Sequence, residues 1–134
     1  MTPEDILIAT RTVWGEARSE PYEGKVAVMW VIRNRLEDNH RRENTLVGVV
    51  TEPYQFSCWL DNDPNKAKLE AVGPNDPMYL ESMKAVVDVL TSPEESDPTK
   101  GSQHYHTKTI LPRWAEDETP VYEVGHHLFY YDID

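Results

Sequence analysis

Residues Val13 to Leu36 read VWGEARSEPYEGKVAVMWVIRNRL, and this stretch decides how the chain is organised. Its first part closes an apolar helix. Its centre, Ser19-Glu20-Pro21, interrupts that helix, because proline has no N–H to donate and its ring clashes with the preceding turn. Pro21 and the acidic Glu23 then open a second helix, as fits the first turn of a helix dipole. From Lys25 to Leu36 the run is apolar around much of its circumference, with Val26, Met29, Trp30, Arg33 and Leu36 at helical spacing. A helix of that kind has to be largely buried, and it is predicted to form the centre of the core.

Upstream, Thr2-Pro3-Glu4-Asp5 is a helix start, with threonine as N-cap, proline at the first helical position and acids in the first turn. The helix is predicted to run to about Arg18, with Ile6, Ala9, Val13 and Ala17 on one stripe. Downstream, residues 37–77 read as irregular. Leu46 to Val50 is short and β-branched, and Gln55 to Trp59 fits a strand or turn beside it. A loop rich in proline follows, with a short helix at Lys66 to Ala71. Asp76-Pro77 starts a third long helix to about Leu90, its Met83, Val86, Val87 and Leu90 inward. Ser96 to Gly101 is a turn by composition. Gln103 to Thr107 and Val121 to Tyr131 carry the aromatic and β-branched residues of strands. The expected fold is α+β, with three main helices and a small, partly irregular sheet, in one domain over residues 1–134.

Composition excludes several function classes. The chain has 134 residues, 13 lysines and arginines against 24 acids, and a formal net charge of −11. Binding to nucleic acid through phosphates needs clustered cations, and His40-Arg41-Arg42 is too short a cluster to supply them. An acidic surface is not drawn to anionic lipid either, and no run approaches the length of a membrane span. Cys58 is the single cysteine, so no internal disulfide can close. The N-terminus lacks the basic region and cleavage site of a secretory signal. A protein made in the cytoplasm and delivered by another route is therefore expected, and it is expected to act as a monomer.

Three groups of residues have chemical potential. Glu16 lies between the small residues Gly15 and Ala17 at the end of an apolar helix, open to a bulky substrate. Burial beside Val13, and repulsion from Glu20 one turn on, are expected to raise its pKa and keep it protonated as a general acid. Glu20 does not qualify as its catalytic partner. Two glycosidase carboxylates flank the scissile bond from opposite sides, and these two share one helix face. The histidines are the second group: His104 and His106 alternate around Tyr105, so on a strand they share one face and Tyr105 takes the other. Together with a carboxylate the pair suits zinc, the basis of a rival amidase reading, although no HExxH spacing accompanies it. A hydrogen-bonding role in a core or cleft is the plainer assignment. The third group comprises Trp59, Tyr105, Trp114 and Tyr130, aromatics whose faces suit sugar rings.

Taken together these segments resemble the SleB/CwlJ-type cell-wall hydrolases, the catalytic domain of spore-cortex-lytic enzymes. The long block Val13 to Leu36 carries most of the likeness. In the same order follow Val49-Val50, Tyr54-Gln55-Phe56-Ser57-Cys58-Trp59, Asp97-Pro98-Thr99 with Gly101, His104-Tyr105-His106, Pro112 with Trp114-Ala115, and Val124-Gly125 to Phe129-Tyr130. The resemblance implies a fold similar to lysozymes and lytic transglycosylases, with a catalytic glutamate that matches Glu16. It further implies cleavage of peptidoglycan glycan strands between N-acetylmuramic acid and N-acetylglucosamine, with no cofactor and no metal. Gln55 and Tyr105 resemble the glutamine and tyrosine that line the cleft opposite the acid in lytic transglycosylases. With Ser57, His104, His106 and Trp114 they form the expected substrate-binding set. Ser19 and the histidine pair depart from the usual family pattern. A bare catalytic domain of this kind looks like a phage endolysin; the remaining alternative is a non-catalytic peptidoglycan-binding module.

Overall fold

The protein was analysed as a computed structural model that describes residues 2–38, 40–41, 45–52, 56–59 and 63–133, without the side chain of Ser57. Helix α1 spans Pro3–Ala17 and starts with a complete capping box: the Asp5 N–H donates to Thr2 Oγ1 at 3.2 Å and the Thr2 N–H to Asp5 Oδ2 at 2.9 Å. Ala9, Val13 and Ala17 of the predicted stripe are buried, and Ile6 is half-buried.

Helix α2, Tyr22–Glu37, is the buried helix that the apolar run demands. Ala27, Val28, Met29, Trp30, Val31 and Ile32 are all buried in succession, whereas Val26, Arg33 and Leu36 of the predicted spacing are only half-buried. Six consecutive buried positions wrap the whole helical circumference, so α2 is packed on every side. Each large apolar side chain sealed there contributes about 1.5–3 kcal/mol. Lys25 is buried at the entry to α2, where its Nζ donates to the Glu20 carbonyl at 2.5 Å and pairs with Glu81 at 3.4 Å. Those partners offset the cost of desolvating its ammonium.

Helix α3, Leu46–Thr51, replaces the short strand expected there. Thr45 accepts the Gly48 N–H at 3.0 Å as N-cap, and Leu46, Val49 and Val50 turn into the core. Capping plus burial on an i, i+3, i+4 stripe outweighs a β-branched composition with no partner strand beside it. Helix α4 is Asn65–Ala71, one residue longer than expected. Helix α5, Pro77–Leu90, packs across α1 and α2. Its inward face is Tyr79, Ser82, Ala85, Val86 and Val89; Val87, expected inward, is 42% exposed, because it lies a further 100° around the helix from Val86. The C-terminal carbonyls of this region are closed by Arg33, whose Nη1 donates to Val89 and Ser92 oxygens at 2.9 and 2.8 Å.

Strands β1 (His104–Thr107), β2 (Tyr122–Val124) and β3 (His127–Tyr130) form an antiparallel sheet in the order β1-β3-β2. Tyr105 lies opposite Phe129 and Thr107 opposite His127. The segment expected as a strand or turn before Trp59 is a single 3-10 turn, Ser57–Trp59. No described helix is long and apolar enough to cross a membrane.

Candidate active site

Glu16 sits in the last turn of α1, half-buried, at the junction of helices and sheet. The Tyr105 hydroxyl, delivered by β1 from 89 positions along the chain, donates to Glu16 Oε1 at 2.5 Å. Burial raises the Glu16 pKa above its ordinary 4.5, and the nearby Asp63 carboxylate acts in the same direction. The Tyr105 hydroxyl, the Cys58 thiol and the Arg35 guanidinium pull the other way without reversing the outcome. Tyr105 is itself pushed far upward by burial and by Glu16, so it keeps its proton and remains a donor. Its O–H occupies one carboxyl oxygen, and the second oxygen is where an acidic proton would reside.

The neighbours of Glu16 explain its small flanking residues. A Cβ on Gly15 would lie 2.5 Å from Leu69 Cδ2 and 3.2 Å from Cys58 Sγ. The Ser57–Trp59 turn and α4 can therefore close on α1 only because position 15 has no side chain. That approach brings Cys58 to the carboxyl, and burial together with Glu16 drives the thiol pKa strongly upward, so Cys58 is a neutral thiol. On the other side Arg35 is buried: its Nε donates to the Gln103 carbonyl at 2.8 Å, its guanidinium lies 5.0 Å over the Phe56 ring, and its Nη1 has no hydrogen-bond partner among the described residues. Burial lowers its pKa to about 10, so it remains charged at neutral pH. Asp63 accepts the Asn65 N–H at 2.8 Å in the first turn of α4.

Glu20 does not act on Glu16 as expected. It is buried and faces the opposite way, onto the β2–β3 turn. Its carboxylate accepts the His126 N–H at 2.6 Å and pairs with His126 Nδ1 at 2.7 Å and His127 Nδ1 at 3.7 Å. Burial alone would raise its pKa, but the His126 backbone and ring bonds and the His127 ring together lower it. The like-charge repulsion expected between Glu16 and Glu20 is replaced by repulsion from Asp63.

The histidines divide as strand alternation requires. His104 and His106 share one face of β1 with Trp114, at ring-centroid distances of 5.3 and 5.7 Å, while Tyr105 takes the other face with Phe129 and His127. His106 uses both ring nitrogens: Nδ1–H donates to the Thr107 carbonyl at 2.7 Å and Nε2 accepts from the Tyr130 hydroxyl at 2.8 Å. His104, neutral with a pKa lowered to about 4 by burial and by Arg35 and Arg41, has a buried Nδ1 without a partner among the described residues. With both ring nitrogens of His106 hydrogen-bonded, that ring offers no ready zinc ligand in this arrangement. No group of three potential ligands occurs among the described residues.

Of the expected substrate contacts, the structure brings Tyr105 to Glu16 and gathers His104, His106 and Trp114 into one half-exposed aromatic face. Gln55 and the Ser57 side chain lie outside the described residues. Tyr130, an expected sugar platform, is only 2% exposed and belongs to the core instead. Trp59 is half-buried, its Nε1 donating to Thr12 Oγ1 at 2.8 Å. A groove beside it, lined by Leu7, Ile8, Arg11 and Val47, runs along α1 but does not include Glu16. Cys58, Arg35 and Asp63 were not read as site residues; Arg35 and Cys58 lie inside quoted family motifs, and Asp63 gave no signal.

Residues 19–130 match the Cell Wall Hydrolase family, beginning three positions after Glu16. The chain is 34% identical over 126 residues to a spore cortex-lytic enzyme of Oceanobacillus iheyensis and 31% identical over 130 residues to that of Bacillus subtilis. In both cases 93% of the chain is covered, but only 41% and 37% of the relative's length. The structure superposes on the catalytic domain of the Bacillus cereus SleB protein with a TM-score of 0.78 and 29% identity, covering 97% of this chain and 91% of that one. It superposes equally well (TM-score 0.78, 30% identity, 98% and 97% coverage) on the catalytic domain of the germination-specific lytic transglycosylase SleB from Bacillus anthracis. The α+β architecture is thus the lysozyme-like one that the sequence resemblance implied, and the chain belongs to the cell wall hydrolase family.

Proposed function

We propose that this protein cleaves peptidoglycan glycan strands between N-acetylmuramic acid and N-acetylglucosamine as a lytic transglycosylase, with Glu16 as its one acid–base residue. The observation that carries the reading is the half-buried Glu16 carboxyl, its pKa raised, with Tyr105 O–H on one oxygen. The relatives' names, spore cortex-lytic enzyme and lytic transglycosylase, support the same chemistry.

In this mechanism the free oxygen of Glu16 gives its proton to the glycosidic oxygen as the bond to muramic acid C1 breaks. Positive charge develops on the ring as an oxocarbenium-like state. As the carboxylate forms, the Tyr105 O–H bond strengthens, a stabilisation larger in the transition state than in the ground state. The C6 hydroxyl of the same sugar then attacks C1 and returns its proton to Glu16, leaving a 1,6-anhydro sugar and a free hydroxyl on the departing N-acetylglucosamine. His104, His106 and Trp114 offer a ring-bearing face for the glycan, with Gln55 and Ser57 as further contacts.

Mass spectrometry of a purified-sacculus digest tests this directly, since an anhydro product is lighter than its hydrolysed form by one water. Anhydro-muramic ends are expected. Reducing ends would assign hydrolysis to the same acid, and free amino termini released in a chelator-sensitive manner would assign an amidase. Binding to walls without solubilisation would overturn the enzymatic reading.

A further inference from the structure

Glu16 in the last turn of α1 and Glu20 in the turn that follows lie four residues apart, and each is fastened to the sheet. Glu16 holds β1 through the Tyr105 hydroxyl; Glu20 holds the turn between β2 and β3 through the His126 N–H and ring, with the buried His127 Nδ1 3.7 Å away, beyond hydrogen-bond reach. The second attachment is tightly fitted. Gly125 has a φ of +56°, and a Cβ there would overlap Glu20 Oε1, so the turn is shaped to receive this carboxylate. Lys25 braces Glu20 from behind by donating to its carbonyl oxygen.

From this clasp a continuous path leads to the acid. The His127 ring, 3.7 Å from Glu20 Oε1, meets the Tyr105 ring edge-on at 5.0 Å, and the opposite contact of Tyr105 is Phe129, stacked at 5.4 Å. Strands β1 and β3 are paired with Thr107 opposite His127, so a shift of His127 carries β1 with it. We propose that Glu20 is a positioning residue for the proton donor: by fixing the β2–β3 turn it sets where the Tyr105 hydroxyl meets Glu16. The inference rests on the reading of Glu16 as the acid.

The role has a signature that general stabilisation lacks. The Tyr105 hydroxyl favours the ionised form of Glu16, so weakening that bond raises the Glu16 pKa. The other groups acting on Glu16 are Cys58 from the 3-10 turn, Arg35 from α2 and Asp63 before α4, whereas those acting on Glu20 are His126 and His127. An acid that must be protonated loses activity as pH passes its pKa, so loosening the clasp moves the alkaline limb of the pH–rate profile upward.

The test compares Glu20→Gln, Tyr105→Phe and the double variant on soluble glycan oligomers, following kcat, KM and the pH dependence. Tyr105→Phe is expected to lower kcat about ten- to a hundredfold and Glu20→Gln about tenfold, with KM little changed and the alkaline limb displaced upward in each. The double variant is expected to fall no further than Tyr105→Phe alone. An unmoved alkaline limb in Glu20→Gln, or multiplicative losses in the double variant, would overturn the proposal. If Glu20→Gln does not fold, His126→Ala carries the test, because it removes only the ring contact of an exposed side chain and keeps the backbone bond. It should move the limb in the same direction by less, and an unmoved limb overturns the proposal there too. Full activity in Glu16→Gln would instead overturn the acid assignment on which the inference rests.

Discussion

The end of α1 and the turn that follows it carry two glutamates four residues apart, and the fold treats them in opposite ways. Glu16 is offered a hydroxyl, a neutral thiol, the Arg35 guanidinium and the carboxylate of Asp63, and burial prevails over the groups that favour ionisation, so its proton is held more tightly than in water. Glu20 is offered a backbone N–H and two imidazoles, and its proton is held less tightly. Both are poorly exposed, so burial alone does not separate them. What separates them is the sign and geometry of the groups that replace water. A carboxyl kept protonated can act as an acid; a carboxylate kept ionised can only hold things in place.

The sharpest way to break this contrast is to neutralise the acid. Glu16→Gln keeps the shape and the Tyr105 bond but removes the proton, and it should lower glycan-strand cleavage by at least about a hundredfold, since general acid catalysis is worth about 10²–10⁴. Circular dichroism should show an unchanged fold, and Glu20→Gln should lose much less. Next comes Tyr105→Phe, which deletes a charge-assisted hydrogen bond of about 1.5–3 kcal/mol in the transition state and should cost about ten- to a hundredfold in kcat.

A third variant probes the packing that makes the Glu16 side different. Gly15→Ala improves helix propensity by about 1 kcal/mol, yet its methyl would lie 2.5 Å from the fully buried Leu69. Overpacking of about 1–3 kcal/mol should prevail, giving a lower melting temperature and lower activity as the Cys58 turn is pushed back.

The smallest effect is the most diagnostic. Glu16 has a folded pKa above the unfolded 4.5, so its favourable contribution is complete below that value and is lost as pH rises through the folded pKa. Glu20 has a folded pKa below 4.5, so its contribution is present above that value and is lost as pH falls through the folded pKa. Thermal melts between pH 7 and pH 4 should therefore show Glu16→Gln gaining stability relative to the parent protein at the neutral end, and Glu20→Gln losing most there. Parallel shifts for the two variants would dissolve the distinction.

Much of this arrangement was legible in the residues. Thr2-Pro3-Glu4-Asp5 fixed the start of α1, Pro21 fixed its break, the unbroken apolar run fixed α2 as the buried helix, and strand alternation fixed Tyr105 opposite His104 and His106. Leu46 to Val50 was misleading because β-branched residues signal a strand only where a partner strand is available, and Thr45 offered a cap instead. Val87 was misplaced because α5 packs on α1 and α2 through a face centred on Val86 and Val89.

By itself, then, the sequence determined the helices, the break between them, the strand faces and the family signature, because each depends on neighbours within a turn or two of chain. The residues nominated Glu16 as the acid through its small neighbours and the family signature; only the tertiary structure supplied the groups that surround its carboxyl and those that receive Glu20. Those groups, Tyr105, Cys58 and Asp63 for Glu16 and His126 and His127 for Glu20, come from 42 to 107 positions away. No local period encodes which buried carboxyl meets a hydroxyl and which meets an imidazole; chain closure around a shared core does.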